Sequence, residues 1–161
     1  MGDKSKNLGR ALDRIDRHIL SCLQKTGRIS YTDLAERVGL STSPCMERVK
    51  RLERDGFITG YHAHLNPDLL GYDMLVFVEI SLSYQSEDAF ERFSRAVKEL
   101  PYVLECHLVS GDADYLLKAR LQDMSHYREL LGDMLLKLPG VKNSKSYVVM
   151  ESVKESMQLP L

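Results

Sequence analysis

Apolar positions along this chain keep a helical period up to about residue 60 and alternate, strand-like, through much of the remainder. Leu12, Ile15, Ile19, Cys22 and Leu23 share one face of a first predicted helix. Asp13 caps it, Asp16 lies against the positive end of its dipole, and Gly27 closes it. Leu34, Ala35 and Val38 mark a second, short helix that stops at Gly39, where glycine takes a left-handed backbone at little cost. After a tight turn, Cys45, Val49 and Leu52 recur at i, i+4 and i+7 in a third helix. Ser41 and Ser43 are both candidate N-caps for it, and Pro44 sits in its first turn, where a missing N–H costs nothing. Gly56 ends this helix, and Phe57, Ile58 and Tyr61 open an extended segment predicted as a wing strand to about Leu65.

The second pattern begins after the Asn66-Pro67-Asp68 turn and a linker to Asp73. Val76, Val78, Ile80 and Leu82 share one face of a strand from Leu75 to Leu82. Phe90, Phe93, Val97 and Leu100 have helical spacing, stopped by Pro101. Strands from Val103 to Val109 and from Tyr115 to Leu121 are joined by Gly111-Asp112-Ala113-Asp114. Tyr127, Leu130, Leu131, Met134 and Leu138 form another helical stripe before Pro139-Gly140, and Tyr147 to Val153 reads as the last strand.

The order βαββαβ is the split, ferredoxin-like motif. Both helices cover one face of its sheet, and the other face needs a second copy or a partner, which argues for a homodimer. The expected fold class is α+β. A flexible basic arm over 1–11 leads into a winged helix-turn-helix domain with its linker over 12–73, and a ferredoxin-like domain occupies 74–161.

Charge sharpens this division. The net charge of −1 speaks against a nucleic-acid partner only if it is evenly spread. Residues 1–60 carry 12 Lys and Arg against 8 Asp and Glu, whereas residues 61–161 carry 10 against 15. A basic first third implies phosphate contact there and another task for the acidic remainder. The third helix presents Glu47, Lys50, Arg51 and Arg54 opposite its apolar stripe, with Met46 and Arg48 on the flanks. A solvated surface helix explains a basic run alone. Cap, turn glycine, proline and stripe together point to a helix that docks in the major groove of double-stranded DNA.

Other function classes find little support. No GxSxG, phosphate-cradling glycine loop, HExxH or paired CxxC occurs, so no catalytic residue, metal ligand or cofactor is assigned. His62 and His64 read as solvent-facing, and His107 beside Glu105 lacks a nucleophile. An RNA-recognition domain needs base-stacking aromatics on its third strand, which here reads YLLKARL. The apolar run Met74 to Val78 is far short of the roughly 20 residues that span a bilayer, and the polar start is unlike a secretion signal. Cys22, Cys45 and Cys106 fit reduced, buried thiols in a cytoplasmic protein.

The turn SGDADYLL is suggestive. Its glycine leaves amide N–H groups accessible and two carboxylates flank the bend, a set that suits an amino-acid zwitterion. On spacing alone, an ordinary surface hairpin is the simpler reading.

Several long motifs, in order, resemble one family. LDRIDRHIL, GRISYTDLAERVGLS, ERVKRLERDGFI, LVFVEI, ECHLVSGDADYLLK, and KLPGV with YVVMESV are similar to the Lrp/AsnC (feast/famine) transcriptional regulators over residues 11–156. The resemblance implies a cytoplasmic, nucleoid-associated, sequence-specific regulator of amino-acid metabolism. It implies homodimers that assemble further, often to octamers, and an amino-acid effector, leucine first, bound by the C-terminal domain at contacts between dimers. By motif, effector response falls to Leu108, Gly111, Asp112, Asp114, Met124, Tyr147, Val148 and Val149. DNA contact falls to Thr42, Ser43, Met46, Glu47, Lys50 and Arg51, with Arg28, Arg48 and Arg54 nearer phosphates. Thr42 departs from the proline common there in close members, and Gln158 to Leu161 lacks the basic extension some carry. The alternative is an architectural DNA-binding protein with little ligand dependence.

Overall fold

The computed structural model describes residues 11–84 and 86–161, with side chains outside 134–136. The basic arm expected over 1–11 lies, but for Ala11, outside the described residues. The chain divides into two compact units: one runs through His64 and regains Glu155–Leu161, and the other is Leu65–Lys154. The division therefore falls nine residues before the expected 73/74 boundary, and the chain's last seven residues belong with the helices rather than the sheet.

The first unit is three helices, α1 (Arg14–Lys25), α2 (Tyr31–Val38) and α3 (Thr42–Arg54). A capping box starts α1: Asp16 N–H donates to Asp13 Oδ1 at 2.8 Å while Asp13 N–H donates to Asp16 Oδ2 at 3.2 Å. Gly39 ends α2 at φ 71°, the left-handed conformation that lets the Leu40 N–H reach back to the Ala35 carbonyl at 2.9 Å. Ile19, Leu34, Ala35, Cys45, Val49 and Leu52 close the core between the helices. Leu20 is also buried, beside the expected α1 stripe rather than on it.

The wing strand does not form. Residues 57–65 contain no strand, because among the described residues this unit is otherwise helical and offers no second strand beside them. The segment is held from its start instead: the Phe57 and Ile58 N–H groups both donate to the Leu52 carbonyl, at 2.9 and 3.2 Å. Farther along, the Tyr61 hydroxyl donates to Glu53 Oε1 at 2.9 Å.

The second unit is β1 (Met74–Leu82), α4 (Glu87–Lys98), β2 (Val103–Leu108), β3 (Tyr115–Leu121), α5 (Met124–Leu136) and β4 (Val141–Val148). Its sheet is antiparallel in the order β2-β3-β1-β4, the ferredoxin-like arrangement. Val76, Val78 and Ile80 of β1 register with Ala119, Leu117 and Tyr115 of β3 and pack with Phe93, Val97 and Leu130 in one core. Leu75, Phe77 and Leu116 point to the opposite face with Glu79, Lys118 and Tyr147.

The last strand is earlier than the expected Tyr147–Val153. Pairing from Val76↔Val148 to Leu82↔Val141 recruits the polar run KNSKSYV, and VMESV lies beyond it. An edge strand needs only backbone partners along one side, so β4 can place Ser144 and Ser146 inward without an apolar stripe.

Candidate functional site

The helix-turn-helix face is built by α3. Its inward residues Cys45, Val49 and Leu52 are fixed in the core, so Thr42, Ser43, Glu47, Lys50 and Arg54 project outward along one ridge, with Met46 half-buried beside them. Ser41 occupies the N-cap position in extended backbone but makes no side-chain capping bond. The first N–H groups of α3 therefore lack the capping oxygen that Ser30 gives α2 and Ser86 gives α4, and they point where an anion is favoured. Arg28 is exposed in the loop between α1 and α2.

Arg48 and Arg51, expected among the cations offered to DNA, each form ion pairs with acids at the start of α1. Arg48 reaches Asp13 at 2.6 Å and Asp16 at 2.8 Å, and Arg51 also pairs with Asp16. Asp16 is only 2% exposed, so its carboxylate would be costly without these partners. The cluster clamps α3 to the start of α1. Sequence reading missed it although a signal was present: two acids three residues apart on one helix and two arginines three apart on another.

Arg48, followed by the Asp16 N–H, holds the Asp13 carboxyl down at about 2 from its ordinary 3.8. Because the folded value is depressed, the unfolded chain takes up the proton first. The stabilisation is complete above pH about 4 and is lost as pH falls toward 2. We expect the melting temperature of the helical unit to fall through that window and Asp13→Asn, which keeps a capping oxygen, to flatten the fall. Parallel curves for variant and wild type would assign the acid sensitivity to other groups.

The effector-response candidates do not form one cluster in one chain. Leu108, Gly111, Asp112 and Asp114 lie where β2 leaves the sheet, beside the Ile80–Leu82 end of β1. Val148 pairs with Val76, Tyr147 with Phe77, and the Val149 N–H donates to the Leu75 carbonyl at 2.9 Å, all near the other end of β1. Met124 begins α5, shortly after Leu121 pairs with Met74, so it belongs to that second end. At about 3.4 Å per residue, the Val76 and Leu82 ends stand about 20 Å apart.

Within the first group, Asp114 is not simply an outward carboxylate for an ammonium. Its Oδ2 accepts the Leu82 N–H at 2.7 Å, its N–H donates to the Ile80 carbonyl at 2.9 Å, and its carbonyl accepts the Val109 N–H at 3.0 Å. It clips the turn to β1. Asp112 and Gly111 are exposed at the tip, and Leu108 faces an open groove of about 1020 Å³ shared with Phe90, Leu104 and Tyr115. Burial pushes the nearby Cys106 thiol up to about 11, and burial also raises that of Cys45, so neither is a ready nucleophile.

Comparison with known proteins bears on both regions. Residues 12–59 match a winged helix-turn-helix DNA-binding family and residues 75–159 match the Lrp/AsnC ligand binding domain. The leucine-responsive regulatory proteins of Escherichia coli K12 and Serratia marcescens are each 60% identical over 159 residues, covering 99% of this chain and 97% of theirs. A transcriptional regulator of Neisseria meningitidis, solved as an L-methionine complex, superimposes with a TM-score of 0.88 at 37% identity, covering 93% of this chain and 97% of that one. An AsnC family regulator from Agrobacterium tumefaciens gives 0.88 at 38% identity, covering 92% and 97%.

Proposed function

Because the chain belongs to the Lrp/AsnC family of transcriptional regulators, we propose that it controls genes of amino-acid metabolism by reading double-stranded DNA with α3 and sensing leucine or a related amino acid with its ferredoxin-like unit. The observation that carries the DNA half is the exposed ridge of α3 on a helix whose other side is fixed in the core. Thr42, Ser43, Met46 and Glu47 meet base edges, where hydroxyl, methyl-group and carboxylate contacts discriminate between bases. Lys50, Arg54 and Arg28 neutralise phosphates, and Arg48 and Arg51 keep the ridge in position through Asp16.

The effector half draws on two relatives solved with L-methionine, that of Neisseria meningitidis and one of Mycobacterium tuberculosis, and on the leucine response in the name of the enterobacterial relatives. A single amino acid is far too short to touch both ends of β1. The separation of the two residue groups supports a site completed between copies, with the Gly111-Asp112 turn of one chain and other residues of its neighbour. Homodimers form through the outer sheet face, whose Leu75, Phe77 and Leu116 lie among Glu79, Lys118 and Tyr147. Closed assemblies of dimers, octamers among them, then juxtapose the turns. The regulator works in the cytoplasm on nucleoid DNA.

The test is operator affinity by fluorescence anisotropy, with and without leucine or methionine. A coupling of about 1–3 kcal/mol gives a change of about 5–150-fold. Asp112→Ala is expected to reduce that change to under about threefold while leaving effector-free affinity and melting temperature unaltered. Asp114→Ala loses the response and also about 1.5 kcal/mol of stability, because it frees the Leu82 N–H. Equal affinities with and without either amino acid in the wild type would remove the sensing role. Uniform genomic coverage in place of discrete promoter peaks would overturn the regulator reading in favour of an architectural one.

A further inference from the structure

The tail segment Glu155–Leu161 folds back onto the helical unit although it comes after the last strand of the other unit. Gln24, on α1, grips it with both ends of its amide. Its Nε2 donates to the Leu159 carbonyl at 3.2 Å, and its Oε1 accepts the Leu159 N–H at 2.7 Å. Two residues on, Leu161 lines an open pocket of about 450 Å³ with Arg14, Arg17, His18 and Ser21 of α1. These positions lie apart from the buried Ile19 and Leu20 of the same helix, so the tail occupies a face that the three-helix core leaves outward. A side-chain amide that satisfies both backbone groups of one residue reads the extended peptide as a neighbouring strand would.

We propose that this face of α1 is a docking surface for the chain's own Met157–Leu161 segment and that the docked tail carries the effector response from β4 to the DNA-binding unit. The proposal deepens the regulatory reading above and rests on it for the identity of the effector. The route is covalent. Tyr147 and Val148 end β4 and Val149 follows it, three of the candidate effector-response positions, and only residues 150–154 separate them from the tail. Five residues reach at most about 18 Å when fully extended. The helical unit is thus tied to the sensing unit at both of its boundaries, once through residues 64–65 and once through residues 154–155. A change at the end of β4 alters the tail's hold on α1, and α1 is the helix to which Arg48 and Arg51 fasten α3.

Amide hydrogen exchange on the full chain tests the dock, and operator affinity with and without leucine tests the coupling. The Leu159 amide is expected to exchange at least tenfold more slowly in the wild type than in Gln24→Ala, a change at a half-buried position outside the core cluster. Free-peptide exchange at Leu159 in the wild type would overturn the dock. Deletion of residues 157–161 is expected to abolish most of the leucine effect on operator affinity while calorimetric leucine binding and effector-free DNA affinity stay within twofold of wild type. Gln24→Ala reports the same loss in smaller degree if the deletion variant is unstable. An undiminished leucine effect in both variants would overturn the coupling. A wild type that binds no leucine would sink the sensing reading instead, and the exchange measurement would still decide the dock.

Discussion

Asp16→Ala is expected to unfold the helical unit at temperatures where the ferredoxin-like unit remains folded. The side chain is almost fully buried and serves three partners: the Asp13 N–H, Arg48 and Arg51. Alanine removes the reciprocal half of the capping box, takes away the Asp16 partner of Arg51 and leaves Arg48 on Asp13 alone, with both arginine side chains about a quarter exposed. Breaking such a pair by deleting one partner costs about 3 kcal/mol. Against the low stability of a unit of this size, that loss lowers its melting temperature by about 15 °C. Calorimetry resolves the outcome as a lower transition that moves alone. The paired arginines need the acid more than the core needs charge. The triple change Asp16→Leu, Arg48→Met and Arg51→Met is therefore expected to recover most of the loss while keeping α3 helical. A shift of less than about 2 °C for Asp16→Ala would mean that the clamp does not hold the unit together.

Lys50→Ala combined with Arg54→Ala should act in the opposite way, leaving the melting temperature unchanged and weakening DNA binding. Lys50 is exposed, and Arg54, at 73% side-chain exposure, has among the described residues a 3.4 Å ion pair with Asp55. Such a surface pair contributes about 0–1 kcal/mol and competes poorly with a phosphate. Each phosphate contact removed lowers the slope of log affinity against log salt by about 0.9. The double variant should thus lose about two units of slope and weaken specific and non-specific binding alike. Ser43→Ala is the contrast, because a base-edge contact relaxes discrimination at one operator position by about 1–3 kcal/mol and leaves the slope alone. An unchanged slope in Lys50→Ala/Arg54→Ala would place the phosphate contacts elsewhere.

The two variants separate what an inspection of charge alone merges. Lys50, Arg51 and Arg54 look equivalent on the helical pattern, and only the location of Asp16 distinguishes them. Asp114 repeats the lesson. Its turn-favouring setting was visible, but its bond to the Leu82 N–H depends on a strand 32 residues away. Likewise, KNSKSYV carries no strand pattern of its own and becomes β4 because β1 offers an unpaired edge of matching length.

By itself the sequence determined the local elements: where helices start and stop, which faces are apolar, the βαββαβ order, and the helix-turn-helix. Those depend on capping chemistry and on periods of 3.6 and 2, which act over a few residues. Tertiary structure alone decided which arginines of α3 are clamped to α1, which run became the edge strand, and where Glu155–Leu161 rests. It also set the two groups of candidate effector-response residues at opposite ends of one sheet. Each of these is a pairing between distant residues, and its energy depends on burial and geometry that no local pattern records.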